Sequence, residues 1–100
     1  MTVKEYLEST YVPGDEYQIR KAIKCVDGYS VSVQGGDMFH YCAPREKCNY
    51  YEAVELGYPS VHDELIQEYA EDPDDQTETV FAMVPIAVVE TLIEKHGGIR

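Results

Sequence analysis

Three side chains able to ligate a metal or attack a carbonyl fall in one short stretch of this chain: His40, Cys42 and Cys48. If that stretch is a strand, His40 and Cys42 project from the same face, because side chains alternate along an extended backbone. With His62 or His96 as a fourth ligand, the set would offer the sulfur and imidazole donors that zinc takes in tetrahedral sites. The spacing argues against that use, since structural zinc sites pair two short Cys or His spacings and no such pairing is present. A second chemistry would make Cys42 a nucleophile, with His40 or His62 as its base. A reactive thiol needs surroundings that favour the thiolate and donors that receive the developing oxyanion. No signature of either surrounds Cys42. The plainer reading is a half-buried cysteine and a surface histidine. No catalytic residue, metal or cofactor is assigned on these grounds. An enzyme centred on His40, Cys42 and Cys48 stands as the alternative.

Gly35-Gly36 and Gly97-Gly98 lack the spacing of a phosphate-binding loop and fit a turn and a helix stop. The carboxylates are more informative as a group. Of nineteen acidic residues, ten lie within residues 52–78, which hold no Lys or Arg. That segment carries nearly all of the net charge of −11. Such a surface repels phosphate backbones and anionic membranes and attracts a basic partner. The chain also has nine Tyr against two Phe and no Trp. Tyr6, Tyr11 and Tyr69 fall on apolar helix stripes, whereas Tyr41, Tyr50, Tyr51 and Tyr58 lie in or beside loops near the acidic segment. Tyrosine is enriched at protein interfaces because it offers rigid area with a polar tip. The candidate partner-binding residues are therefore Tyr58, Glu64, Glu68 and Glu71. The bland reading of the same acids is a solvated face that maintains solubility.

The elements that must position these groups follow from periodicity. Thr2-Val3-Lys4-Glu5 has the capping-box form, and Val3, Tyr6, Leu7 and Tyr11 make one helical stripe over about residues 3–11. Residues 17–26 and 29–34 read as strands joined at Asp27-Gly28, and Gly35-Gly36-Asp37 reads as a second turn. Phe39, Tyr41 and Ala43 alternate as a third strand, and Asn49 to Tyr58 reads as a fourth. Ser60 then caps a helix with Asp63 at the capping-box position. Its buried stripe is Val61, Leu65, Ile66 and Tyr69, with Glu64, Glu68 and Glu71 facing water. Thr79 to Val84 suits a central strand. A helix over residues 86–96 follows, buried through Val89, Leu92 and Ile93 and stopped by Gly97-Gly98. The fold class is α+β: a single domain over 1–100, with a mostly antiparallel sheet of four to five strands and about three helices in the order α-β-β-β-β-α-β-α.

The hydrophobic content of 44% suits one globular core, and no apolar run approaches the roughly 20 residues a membrane span needs. The N-terminus has no basic and apolar regions of a signal peptide, so the expected compartment is the cytosol. Three cysteines, an odd number, then read as free thiols, with Cys25 in the core.

Ser32-Val33-Gln34 through Phe39-His40-Tyr41-Cys42-Ala43-Pro44-Arg45 belongs to a wider pattern with Tyr51-Glu52-Ala53-Val54-Glu55-Leu56-Gly57-Tyr58-Pro59-Ser60 and with Val84-Pro85 through Lys95-His96-Gly97-Gly98-Ile99. From about residue 17 onward the chain resembles small acidic proteins of phages and prophages of gut-type Gram-positive bacteria. The resemblance implies an accessory protein that binds a host or phage protein with a basic surface. A specific version is an inhibitor seated in the basic nucleic-acid-binding groove of a host defence protein. It implies no catalytic residues.

Overall fold

Thr2 opens the first helix by the reciprocal bonds its motif prescribes. Its Oγ1 accepts the Glu5 amide at 3.0 Å, and Glu5 Oε1 accepts the Thr2 amide at 2.8 Å. The computed structural model describes residues 1–36, 39–46, 48 and 50–100. Within them α1 spans Val3–Ser9, with Val3 and Leu7 buried. Strands β1 (Ile23–Lys24), β2 (Ser30–Gln34), β3 (Ala53–Gly57) and β4 (Val80–Pro85) form one antiparallel sheet in sequence order, and α2 spans Ile86–Lys95. The result is an α+β domain with four strands, two α-helices and two short 3-10 helices, Glu64–Tyr69 and Gln76–Glu78. Asp37, in the expected second turn, and Asn49, at the expected start of the fourth strand, lie outside the described residues.

The Asp27-Gly28 hairpin forms, with a loop one residue longer than the dipeptide suggests. Cys25 donates to the Tyr29 carbonyl at 2.8 Å and Gly28 donates to the Cys25 carbonyl at 3.1 Å, which leaves Val26, Asp27 and Gly28 as the loop. Gly28 closes it at φ +98°, the left-handed position a three-residue hairpin requires of its last member. The α2 stop is also as expected. Gly98 donates to the Ile93 carbonyl at 2.9 Å and Gly97 to the Glu94 carbonyl at 3.0 Å, a Schellman pair.

Three expectations need correction. Residues 39–43 make no strand; their backbone meets the sheet at an isolated Ala43–Ala53 bridge and where the Tyr41 carbonyl accepts the Met83 amide. Residues 17–22 are irregular, although the alternation there resembles a strand. Their hydrogen bonds go to side chains instead. Gln34 mimics a strand partner, with its Oε1 accepting the Arg20 amide at 2.8 Å and its Nε2 donating to the Arg20 carbonyl at 2.7 Å. The third correction is the acidic helix. It is a 3-10 helix capped by Asp63, not Ser60, and Val61 is exposed ahead of it.

Val3, Leu7, Ile23, Val31, Val33, Val54, Leu56, Ile66, Phe81, Val84, Val89, Leu92 and Ile93 form one core between the sheet and its helices. Both sheet edges are covered. Beside β1, Val26 donates to the Gly98 carbonyl and Arg100 to the Lys24 carbonyl; beside β4, Glu71 donates to the Val80 carbonyl and Met83 to the Tyr41 carbonyl. Covered edges present no row of free donors and acceptors to a further strand. Between Val54 and Leu56 the β3–β4 register slips, so that Ala82 and Met83 together face Glu55, and Met83 takes φ +54°. Among the described residues, no helix is long and apolar enough to cross a membrane.

Candidate functional site

The loop after β2 does not bring His40, Cys42 and Cys48 together as one site. His40 is nearly buried; its Nε2 donates to the Tyr17 carbonyl at 3.1 Å and its Nδ1 lies 3.2 Å from Glu55 Oε1. The Cys42 thiol donates to the Gly36 carbonyl at 3.0 Å and receives the Gly36 amide at 3.3 Å. Burial pushes that thiol up, against a smaller lowering by the Gly36 amide. That is the opposite of the thiolate-favouring environment a nucleophile needs. Cys48 turns to the Tyr50 carbonyl, 2.9 Å away. Of the remaining histidines, His62 pairs with Glu64 at 2.7 Å on the surface, and His96 lies in a separate cluster. Among the described residues, no group of three or more His, Cys, Asp or Glu side chains is arranged to hold a metal. Gly35 belongs to this loop for steric reasons. A Cβ there would stand 2.7 Å from the Tyr51 ring, which is fully buried and donates its hydroxyl to the Glu46 carbonyl.

The four partner-binding candidates are all exposed, but they do not make one stripe. Tyr58 follows β3, is 59% exposed and sits at φ +50°, with its amide donating to the Thr79 carbonyl at 3.0 Å. Glu64 and Glu68 both lie within the 3-10 helix. At three residues per turn, positions four apart are about 120° out of phase, so these two carboxylates point different ways. Glu71 lies beyond the helix, against β4. Ile66 is the fully buried residue of this segment, while Leu65 and Tyr69 are half-buried. Of the loop tyrosines, Tyr41, Tyr50 and Tyr58 are exposed and Tyr51 is core.

A cluster that periodicity does not reveal joins the hairpin loop, the 3-10 cap and the end of α2. His96 Nδ1 lies 2.7 Å from Asp27 Oδ2, and its Nε2 lies 2.9 Å from Asp63 Oδ2. Its ring stacks on Tyr29 with centroids 3.9 Å apart and planes 6° from parallel. The second Asp63 oxygen accepts the Leu65 amide at 3.0 Å and the Lys95 ammonium at 2.9 Å. The second Asp27 oxygen accepts the Tyr29 amide at 2.9 Å. Burial opposes the charge on His96, yet the bonds to Asp27 and Asp63 outweigh it and hold the imidazole pKa above its ordinary value. Burial likewise opposes ionisation of Asp63, and the Leu65 amide, Lys95 and His96 outweigh it, so its pKa is lowered. The Tyr29 amide, then His96, lower that of Asp27. Each residue has a satisfying local role in the sequence: Asp27 in a turn, Asp63 as a cap and His96 at a helix end. Nothing in the sequence links them, since their contacts span 33 and 69 positions.

Compared with protein-family models, curated proteins and solved structures, the chain matches none.

Proposed function

We propose that this protein acts by binding another protein, without catalysis of its own, through the exposed acidic surface around Tyr58. Tyr58 is the observation that carries the reading. A non-glycine residue at positive φ costs on the order of 1–3 kcal/mol, a cost found mostly where a site needs it. Here the cost holds a large aromatic ring, 59% exposed, out in water. An exposed tyrosine at a strained backbone position, in the segment that holds ten carboxylates, has the composition of an interface anchor with an electrostatic surround. The partner would present a basic surface. In the fullest version, the protein is a phage or prophage accessory factor that occupies a host defence protein's nucleic-acid-binding groove within the bacterial cytoplasm. The buried, raised thiol of Cys42 gives the alternative thiol enzyme no support.

The test is association kinetics with a partner recovered from host lysate, at two salt concentrations. Neutralising Glu64, Glu68 and Glu71 together should slow association and flatten its salt dependence, because exposed charges act over about 8 Å at physiological ionic strength. Tyr58→Ala should instead speed dissociation. Equal association rates for wild type and triple variant at both salts would reduce the acidic face to a solvated surface.

A further inference from the structure

The Asp27–His96–Asp63 bridge does more than hold three elements together. We propose that it is a proton-operated latch, which clamps the β1–β2 turn to the end of α2 while His96 is protonated and releases the turn when it is not.

The argument starts from proton counting. A neutral imidazole offers one N–H and one lone pair, and an ionised carboxylate offers only lone pairs. His96 places a carboxylate oxygen within hydrogen-bond distance of both nitrogens. Only the imidazolium, with two N–H donors, satisfies both contacts. The shared proton does not sit on an aspartate, because each carboxylate is held ionised by other donors: the Tyr29 amide at Asp27, and the Leu65 amide and Lys95 at Asp63. The position adds its own bias, since His96 caps the negative end of the α2 dipole.

The groups around the ring come from every element packed against it. Asp27 comes from the hairpin loop, Asp63 from the 3-10 cap, Lys95 from α2 and Tyr29 from the base of β2; Cys25 lies close enough to Tyr29 and Asp27 to act on them. Burial pushes the Tyr29 phenol and the Cys25 thiol up, so both stay neutral through the working range. His96, Asp27 and Asp63 are the groups that change.

Losing the proton leaves a ring lone pair facing a carboxylate, and one contact must part. Asp63 is nearly buried and keeps Lys95 and the Leu65 amide, whereas the Asp27 side chain is half exposed and can rehydrate. The break therefore falls on the Asp27 side. The turn is otherwise tied to α2 by two backbone bonds, Asp27 to the His96 carbonyl at 3.2 Å and Val26 to the Gly98 carbonyl at 3.0 Å. Beneath it lies a groove lined by Asp27, Gly28, Tyr29, Ser60, Val61 and His96. Opening the turn widens that groove next to the segment that carries Tyr58.

The sign follows from linkage. A group whose folded pKa is raised contributes stability fully present below its unfolded value, about 6.5 for histidine, and lost as pH rises through the folded value. Asp27 and Asp63, both lowered, contribute stability that is lost only as pH falls through their folded values. The latch is closed between those limits and opens on the alkaline side.

Side-chain nitrogen-15 spectra of the whole protein test the proton directly, and amide hydrogen exchange tests the release. Both ring nitrogens of His96 should be protonated below a midpoint that lies above that of the same histidine in the urea-unfolded chain. Protection of the Val26 and Asp27 amides, corrected for intrinsic exchange and referred to core amides of β3, should fall about tenfold across the titration, the loss of one charge-assisted bond. Asp27→Asn keeps the acceptor for the Tyr29 amide, so the turn still folds; it should lower the His96 midpoint and remove the pH dependence of both amides. A folded His96 midpoint no higher than the unfolded one, or protection that does not change through the His96 titration, overturns the latch.

Discussion

Arg20 should be irreplaceable by lysine, and the reason is geometric. It is 5% exposed, and among the described residues none of its hydrogen-bond partners is a carboxylate. Its Nε donates to Thr10 Oγ1 at 2.8 Å, its Nη1 to the carbonyls of Gly35 at 3.1 Å and Gln18 at 3.3 Å, and its Nη2 to that of Leu7 at 3.4 Å. Leu7 and Thr10 end α1, whose last turn has no basic residue of its own. The guanidinium thus caps that helix from outside and ties it to the loop after β2. A lysine retains the charge but loses the planar fork, and its ammonium is more strongly hydrated. The two short contacts carry most of the loss. A buried acceptor left without its donor costs about 1–3 kcal/mol, so either Arg20→Lys or Arg20→Met should lose about 2–4 kcal/mol. That is a large part of the roughly 5–15 kcal/mol that holds a small domain folded. Urea unfolding followed by far-ultraviolet circular dichroism should show a midpoint drop on the order of 2 M, given slopes of about 1–3 kcal/mol per molar for small proteins. Added salt should barely change the difference, since no ion pair to Arg20 forms among the described residues. If Arg20→Lys unfolds with the wild type and only Arg20→Met falls, the charge matters and the fork does not.

Two further outcomes follow from burial. Cys48, the partly exposed thiol, should alkylate first in the folded protein, with Cys25 and Cys42 reacting only on unfolding, as mass spectrometry of labelled peptides would show; Cys42 and Cys48 replaced together by Ser should change the thermal midpoint by no more than about 4–8 °C, the equivalent of 1 kcal/mol in a domain this size. Tyr29→Phe should stabilise the protein by about 1 kcal/mol, because the buried Tyr29 hydroxyl has no hydrogen-bond partner among the described residues; a lower thermal midpoint for the variant would show that the hydroxyl is satisfied.

The elements legible in the sequence are those marked by a local signal: a cap, a turn or an apolar run. The capping box of α1 and the Asp27-Gly28 turn state their bonding partners within a few residues, while the apolar runs of β3 and β4 and the Val89-Leu92-Ile93 face of α2 state which side chains are buried; all form. Where long-range side chains take over, the pattern misleads. Ile19 alternates like a strand residue yet is 73% exposed, because Gln34 and Gln18 supply the polar partners that a neighbouring strand would have provided. The Phe39–Ala43 alternation fails similarly: His40 turns to Glu55 and Tyr17, and Cys42 to Gly36, so the side chains take fixed polar partners and the backbone does not join a ladder. In the acidic segment, Asp63 caps at its own position, since its side chain accepts the Leu65 amide, and that shortens the helix and leaves Val61 outside.

The same long-range contacts divide the acidic segment into two populations. No lysine or arginine lies within residues 52–78, so any carboxylate there that serves the fold must draw its cation from elsewhere. Glu55 meets His40 from the β2–β3 loop, and Asp63 meets Lys95 and His96 from α2; the side chains of both acids are largely buried. Glu64, Glu68 and Glu71 are exposed, and the sequence-remote side chains that meet Glu55 and Asp63 do not pair with them. A charge that costs solvation and is matched internally is explained by stability, whereas a charge left in water beside like charges gains nothing for the fold. Neutralising the segment as a whole would therefore confuse folding with recognition. Neutralising Glu64, Glu68 and Glu71 leaves the pairs made by Glu55 and Asp63 intact, so any change in binding it produces belongs to the surface itself.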